Sequence, residues 1–305
     1  MAQRTPPAPS DLAAVKHRLG RVGVWFISAS AASAEVERPA VVAIEQFGYS
    51  AFWFGENPSS KEAFTHAAAL LSWTEHMQVA SGIANIWGRD ASAAANGAAT
   101  LADTWGNRFV LGLGVSHAPL VDTRGHDYGK PLAVMRSYLE AMDTVPFALP
   151  LAEAPPRLIA ALRPKMLELS KTHAQGAHTY FTTPEHTRRA RDILGDEPVL
   201  AVEQAVVLDT DEGSARAAAR EYADRYLKLP NYQNHLRELG FTDDDLKGSD
   251  ALVDAVVAWG DPDAIAERVR AHHDAGADHV CVQTIAPTIE QQTEHLRELA
   301  PALTG

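Results

Sequence analysis

The chain has 305 residues, 46% of them hydrophobic and 22% charged, with a formal net charge of −12 at pH 7. That balance is ordinary for a globular protein, and no run of about 18 apolar residues offers a membrane span. The acidity argues against nucleic acid as a partner, and the single cysteine, Cys281, excludes both an intrachain disulfide and a multi-thiolate metal site.

Residues 1–20, starting MAQRTPPAPSD, have no apolar signal core and read as an N-terminal leader ahead of one domain spanning 21–305. Together with the lone thiol, this suits a cytoplasmic protein. Arg21–Phe26 is a short apolar strand, Glu35–Phe47 an amphipathic helix ended by Gly48, and Ser50–Phe54 a second strand. A helix over Lys61–Trp73, a strand over Met77–Ser81, a helix over Ala91–Trp105 and a strand over Phe109–Leu113 follow. Pro131–Met142 has Leu132, Met135, Leu139 and Met142 at helical spacing, and Val145–Pro156 is a proline-rich connection. Arg157–Ala161 and Gly176–Tyr180 are strands five and six, with helices starting at Pro164 and at the Thr183-Pro184-Glu185 cap. Strand seven is Val199–Val207. Residues 210–259 are too long for a simple return helix and predict a helical insertion without strands. Asp261 caps a helix that ends at Gly276. Asp278–Val282 is strand eight, and a Thr288–Gln291 capping box opens the last helix.

Eight apolar strands alternating with helices predict an α/β fold of the closed (β/α)8, or TIM-barrel, type, with the insertion after strand seven. An open dinucleotide-binding sheet is rejected, because Gly20 and Gly23 precede and interrupt strand one, and LGLG at Leu111–Gly114 lacks the third glycine and the acidic partner.

Barrel chemistry sits at the C-terminal ends of the strands. Those ends are aromatic and glycine-rich: Trp25–Phe26, Trp53–Asn57, Gly82–Trp87, Gly112–His117, Leu162–Lys165 and His178–Tyr180. Ser116–His117 lack a nucleophile elbow, so they do not suggest a hydrolase. Glu56, His117 and His178 are the candidate catalytic side chains, but with no HxH, HExxH or dense carboxylate set they do not predict a metal site. An apolar slot for a planar redox cofactor accounts better for the collection. Gly82, in the stretch MQVASGIANIWGRD, lets a flat ring approach backbone. Arg163 and Lys165, at a helix start, are either a phosphate site or a solvated first turn. Glu56 is equally open to a polar ligand contact and to a salt bridge inside the barrel mouth. Cys281 reads as a small buried hydrophobe.

Four segments carry a family resemblance: SAFWFGEN at Ser50–Asn57, Val79–His117 with VASGIANIWGRD and RFVLGLGVSH, LRPKMLELSKTHAQGAHTYFTTPEHT at Leu162–Thr187, and Ala255–Gln283. In order and spacing the chain resembles the bacterial luciferase-like oxidoreductases that use a flavin or a deazaflavin, most closely the deazaflavin branch. The resemblance implies a cis Gly82–Ile83 peptide behind the cofactor ring, with Trp53, Ser81, Gly82, Ile83 and Asn85 around it. It implies Gly114 and His117 beside the cofactor tail, Leu162, Arg163, Pro164, Lys165 and Met166 around its phosphate, and Glu56 and His178 near the ring. Asn57 departs from the histidine many members carry, so no acid–base role transfers from that position. The implied cofactor is coenzyme F420, the alternative FMN. The implied partners are a small organic substrate, a flavin or F420 reductase, and a second copy of the chain as a homodimer.

Overall fold

A computed structural model of the chain describes residues 10–146 and 151–305. The first nine residues of the leader, and 147–150 of the proline-rich connection, lie outside them. In chain order the elements are α1 (Leu12–Leu19), β1 (Val22–Trp25), α2 (Ala34–Gln46), β2 (Ala51–Phe54), α3 (Ala63–Trp73), β3 (Gln78–Ser81), β4 (Ala84–Asn85), α4 (Ala91–Trp105), β5 (Phe109–Gly114), α5 (Ala118–Asp122) and α6 (Pro131–Asp143). Then come β6 (Arg157–Ala160), α7 (Pro164–His173), β7 (Gly176–Thr179), α8 (Pro184–Leu194), β8 (Val199–Leu208), α9 (Glu212–Leu227), α10 (Pro230–Glu238), α11 (Asp250–Val256), β9 (Val257–Gly260), α12 (Pro262–Asp274), β10 (His279–Thr284) and α13 (Ile289–Thr304).

Strands β1, β2, β3, β5, β6, β7, β8 and β10 pair in parallel, and β10 closes the ring between β8 and β1. This is the (β/α)8 barrel expected from the alternation. Strands this apolar need cover on both faces, and the helices supply it outside. Inside, small and large residues alternate to fill the taper, with Trp25, Trp53, Ala80, Val110, Leu158 and Ala201 in one buried cluster.

Three features differ from expectation. Residues 12–19, read as part of the leader, form helix α1: Asp11 caps it by accepting from the Ala13 amide at 3.0 Å, and Val15 and Leu19 are buried against the barrel interior. Lys16 ties the helix to Asp278 at 3.0 Å. Two apolar residues on one turn-spaced face are a weak signal in sequence, yet enough to plug the N-terminal end of the barrel. Second, the insertion is not wholly helical. Helix α11 stops at Val256, and the next four residues form β9, which pairs with Ala205–Leu208. Strand β8 is ten residues long and β7 covers only Val199–Val202 of that edge, so the remainder presents unpaired backbone to the β-branched run that begins at Val256. Third, β3 does not end cleanly. After Ala80 pairs with Val110, the chain next pairs at Ala84 with Leu113, so four residues on one side answer three on the other. This is a β-bulge, the device that re-aims backbone near active sites. Gly112 permits it: a Cβ there would lie 1.8 Å from the Ser81 carbonyl oxygen.

Candidate active site

The C-terminal mouth of the barrel opens into a cavity of about 990 Å³. That is at the upper end of what single ligands occupy, leaving room for a cofactor and a second molecule. The bulge forms part of its wall. Within it the Gly82–Ile83 peptide is cis. A side chain at residue 82 is sterically forbidden: its Cβ would meet Trp25 Nε1 at 2.5 Å and His178 Nε2 at 3.1 Å.

Those two nitrogens define the polar character of the spot. Trp25 is 4% and His178 2% exposed, and neither Nε1 of the one nor Nε2 of the other has a hydrogen-bond partner. The His178 Nδ1–H donates to the Ala201 carbonyl at 3.3 Å, which leaves Nε2 as a bare acceptor. Burial pushes the imidazole down to about 3, so it is neutral at physiological pH. Trp53 stacks on its face at 4.5 Å and donates through its own Nε1 to His279 Nε2 at 3.0 Å. A donor and an acceptor thus converge on a backbone that has no side chain of its own. Leaving both unpaired in a buried site is costly, and a planar heterocycle with N–H and C=O edges would satisfy both.

Of the residues singled out in sequence, Glu56, Gly82, Ile83, Gly114, His117, His178 and Leu162–Met166 line this one cavity. Trp53, Ser81 and Asn85 do not. Trp53 lies beneath His178, fully buried. The Ser81 hydroxyl donates to the Gly112 carbonyl at 2.9 Å and accepts its amide at 3.0 Å, replacing ladder bonds at the bulge. Asn85 turns away from the cavity, its Oδ1 accepting the Trp87 amide at 3.0 Å. These three shape the wall from behind.

Glu56 is committed elsewhere. Arg89 donates to both of its carboxylate oxygens, at 3.0 Å to Oε2 and more closely to Oε1. The Ala63 and Asn85 amides donate as well, at 3.1 and 2.7 Å. Four donors fill the carboxylate, so the salt-bridge alternative describes its geometry and a free acid–base group does not. His117 caps α5 without a side-chain cap bond, lies against the Tyr232 ring, and is held below the ordinary imidazole range by burial, with an opposing hydrogen bond to Asn231. Arg163 donates to Glu238 Oε1 through Nε at 3.0 Å and Nη2 at 2.6 Å, while Lys165 is exposed on the first turn of α7. Among the described residues no three His, Cys, Asp or Glu side chains gather to hold a metal ion.

The sequence also left out part of the wall. Arg225, Tyr226, Asn231 and Tyr232, all from the insertion, line the cavity beside Tyr180. The i, i+4 pair Tyr222 and Tyr226 on α9 was the available signal, since tyrosine repeated on a buried face brings hydroxyls that need partners.

The luciferase-like monooxygenase family model matches residues 21–279. The chain belongs to this family. Among solved structures it resembles an F420-dependent secondary alcohol dehydrogenase in complex with an F420–acetone adduct (TM-score 0.73, 15% identity, covering 94% of this chain and 99% of that one). It also resembles the coenzyme F420-dependent tetrahydromethanopterin reductase from Methanopyrus kandleri (0.68, 16%, 93% and 99%). A third is the oxygenating constituent of 3,6-diketocamphane monooxygenase from Pseudomonas putida, in complex with FMN (0.68, 16%, 93% and 98%). At these identities the likeness is one of fold, and the fold is shared by deazaflavin and flavin enzymes alike. In this chain the helical segment after strand seven overhangs the mouth, with Arg225, Tyr226, Asn231 and Tyr232 in the cavity wall. No helix among the described residues is long and apolar enough to cross a membrane.

Proposed function

We propose that this luciferase-like protein is an F420-dependent oxidoreductase that transfers hydride between the deazaflavin and a small organic substrate bearing a carbonyl or alcohol. The observation that carries the reading is the bare Gly82 backbone faced by the unpaired Trp25 Nε1 and His178 Nε2 inside a cavity large enough for two molecules. Bound there, the cofactor would supply the hydride; Trp25, Gly82 and His178 would hold its ring, and Arg163 and Lys165 its anionic tail. The deazaflavin-like segments RFVLGLGVSH and LRPKM support that cofactor, as do the two F420 enzymes among the similar structures. The FMN-bound neighbour supports the second reading, a monooxygenase that consumes reduced flavin delivered by a reductase. Equilibrium titration with oxidised F420 and oxidised FMN separates the two: selective F420 binding is expected, and selective FMN binding transfers the protein to the second reading.

In the same titration Gly82→Ala is expected to weaken binding about 10- to 100-fold, the equivalent of the roughly 1–3 kcal/mol that overpacking costs. An unchanged dissociation constant would detach the ring from this wall. Arg163→Ala and Lys165→Ala are each expected to raise it about tenfold, as loss of a charged hydrogen bond does. Because Glu238 competes for Arg163, Glu238→Gln is expected to lower it. If none of the three moves it, the tail lies elsewhere.

A further inference from the structure

Hydride addition to a carbonyl carbon leaves its oxygen one proton short, so a proton source is needed at the cavity wall. His178 is neutral with a bare Nε2, and Glu56 is filled by four donors. A different acid lies behind the wall. Glu203, on β8, is 1% exposed inside the barrel, and among the described residues no Lys, Arg or His pairs with it. Its Oε2 accepts the Phe181 amide at 3.1 Å and its Oε1 meets the Tyr222 hydroxyl at 3.3 Å. Tyr222 meets Tyr180 Oη at 3.1 Å, and Tyr180 meets Tyr226 Oη at 2.6 Å. Tyr180 and Tyr226 line the cavity.

We propose that Glu203, Tyr222, Tyr180 and Tyr226 form a proton relay that joins a buried carboxylic acid to the ligand-facing wall. The proposal rests on the hydride-transfer reading for the identity of the acceptor. In the reducing direction the Tyr226 O–H bond breaks and an O–H bond forms on the substrate oxygen. Tyr226 regains a proton from Tyr180, Tyr180 from Tyr222, and Tyr222 from Glu203, whose carboxylate is left accepting from Phe181 and Tyr222. Each hydroxyl gives one proton and receives one, so the net change is one proton from Glu203 to the product. Alcohol oxidation runs the same hops backwards. The Gln283 Oε1, 2.9 Å from Tyr180 Oη, holds that hydroxyl in the chain when it is not turned toward Tyr226.

The surroundings suit an acid that stays protonated until called upon. Facing it are Tyr180 just past the end of β7, Tyr222 and Tyr226 from α9, Tyr232 from α10, and Cys281 from the paired position on β10. None of these carries positive charge. Burial pushes the Glu203 carboxyl up to about 8, against hydrogen bonds from Phe181 and Tyr222 that pull the other way.

Infrared spectroscopy of the free enzyme tests the relay without cofactor. A protonated-carboxyl C=O band is expected at pH 7 in the wild type and not in Glu203→Gln. On transfer to D2O the band is expected to shift in a fast phase that is lost in Tyr222→Phe and Tyr180→Phe, which cut the path while leaving the acid in place. A band that survives in Glu203→Gln, or equally fast exchange in both phenylalanine variants, overturns the relay; if Glu203→Gln does not fold, the phenylalanine variants decide alone. With reduced F420 and a ketone, kcat is expected to fall about 100-fold in Glu203→Gln with ketone KM little changed, the usual worth of a positioned acid. The wild-type decline in kcat as pH rises through about 8 is expected to vanish in that variant. Exchange slowed in the tyrosine variants with no ketone reduced by any form keeps the relay and overturns the hydride-transfer reading instead.

Discussion

Acidification toward pH 5 is expected to destabilise the fold by about 4 kcal/mol per pH unit, through the net uptake of about three protons on unfolding. Four buried imidazoles are responsible. Burial holds His178, His235 and His272 down to about 3 and His279 to about 4. The contacts of His279 also require the neutral form, since its Nε2 accepts from Trp53 while its Nδ1 donates to the Gly20 carbonyl at 2.9 Å; His272 is enclosed between Thr187 and Gln204 at 2.8 and 2.9 Å. Each is depressed below its unfolded value of 6.5, so each contributes stability that is present above pH 6.5 and lost as pH falls toward 3–4. Glu203 works in the opposite direction. Its folded value is raised to about 8 from 4.5, so it adds stability below 4.5 that is lost as pH rises through 8. Near pH 5 the unfolded chain therefore binds about four more protons at histidine and the folded chain about one more at Glu203. Against a total stability of roughly 5–15 kcal/mol, such a slope brings unfolding within reach of mildly acidic solution. Urea denaturation at several pH values measures it directly. A slope of less than one proton between pH 6 and 5 would mean that these imidazoles are not held neutral.

The architecture was legible because it is written in local periodicities. Apolar runs such as Leu200–Val207 and caps such as Thr183-Pro184-Glu185 each depend on residues a few positions apart, and all eight barrel strands fell where these signals put them. What the sequence hid was pairing over distance. Ser81 looks like a ligand contact until its hydroxyl is seen bridging Gly112, and Arg163 like a free cation until α10 brings Glu238 to it. The insertion's tyrosines reach the cavity only because α9 and α10 fold back over the strand ends. Glu203 was the most readable omission: it is the lone charge in the ten-residue strand VLAVEQAVVL, and a charge placed in so apolar a segment has to be paired, protonated or functional. Glu56 was correctly placed at the mouth, but nothing near it in sequence reveals that Arg89, 33 residues on, occupies it.

That last pair carries the second large effect. Replacing Arg89 with methionine is expected to cost about 3–5 kcal/mol, because it strands a buried carboxylate. The Glu56 and Arg89 side chains are 4% and 10% exposed, so solvent screens neither. The pair also anchors architecture: through the Asn85 and Ala63 amides, Glu56 fastens the β3–β4 bulge to the start of α3. For a chain of this size the loss corresponds to roughly 5–8 °C in melting temperature. Glu56→Gln is expected to destabilise in the same direction, since an amide keeps the shape but loses the charge and places an NH2 group against donors. The double variant Glu56→Gln/Arg89→Met is expected to lose less than the sum of the two, as removing both members of a buried pair does. An acid–base catalyst behaves differently: Glu56→Gln would abolish turnover while leaving the melting temperature where it was. Thermal melts of the three variants separate the roles, and an unchanged melting temperature in Glu56→Gln would return this carboxylate to the catalytic candidates.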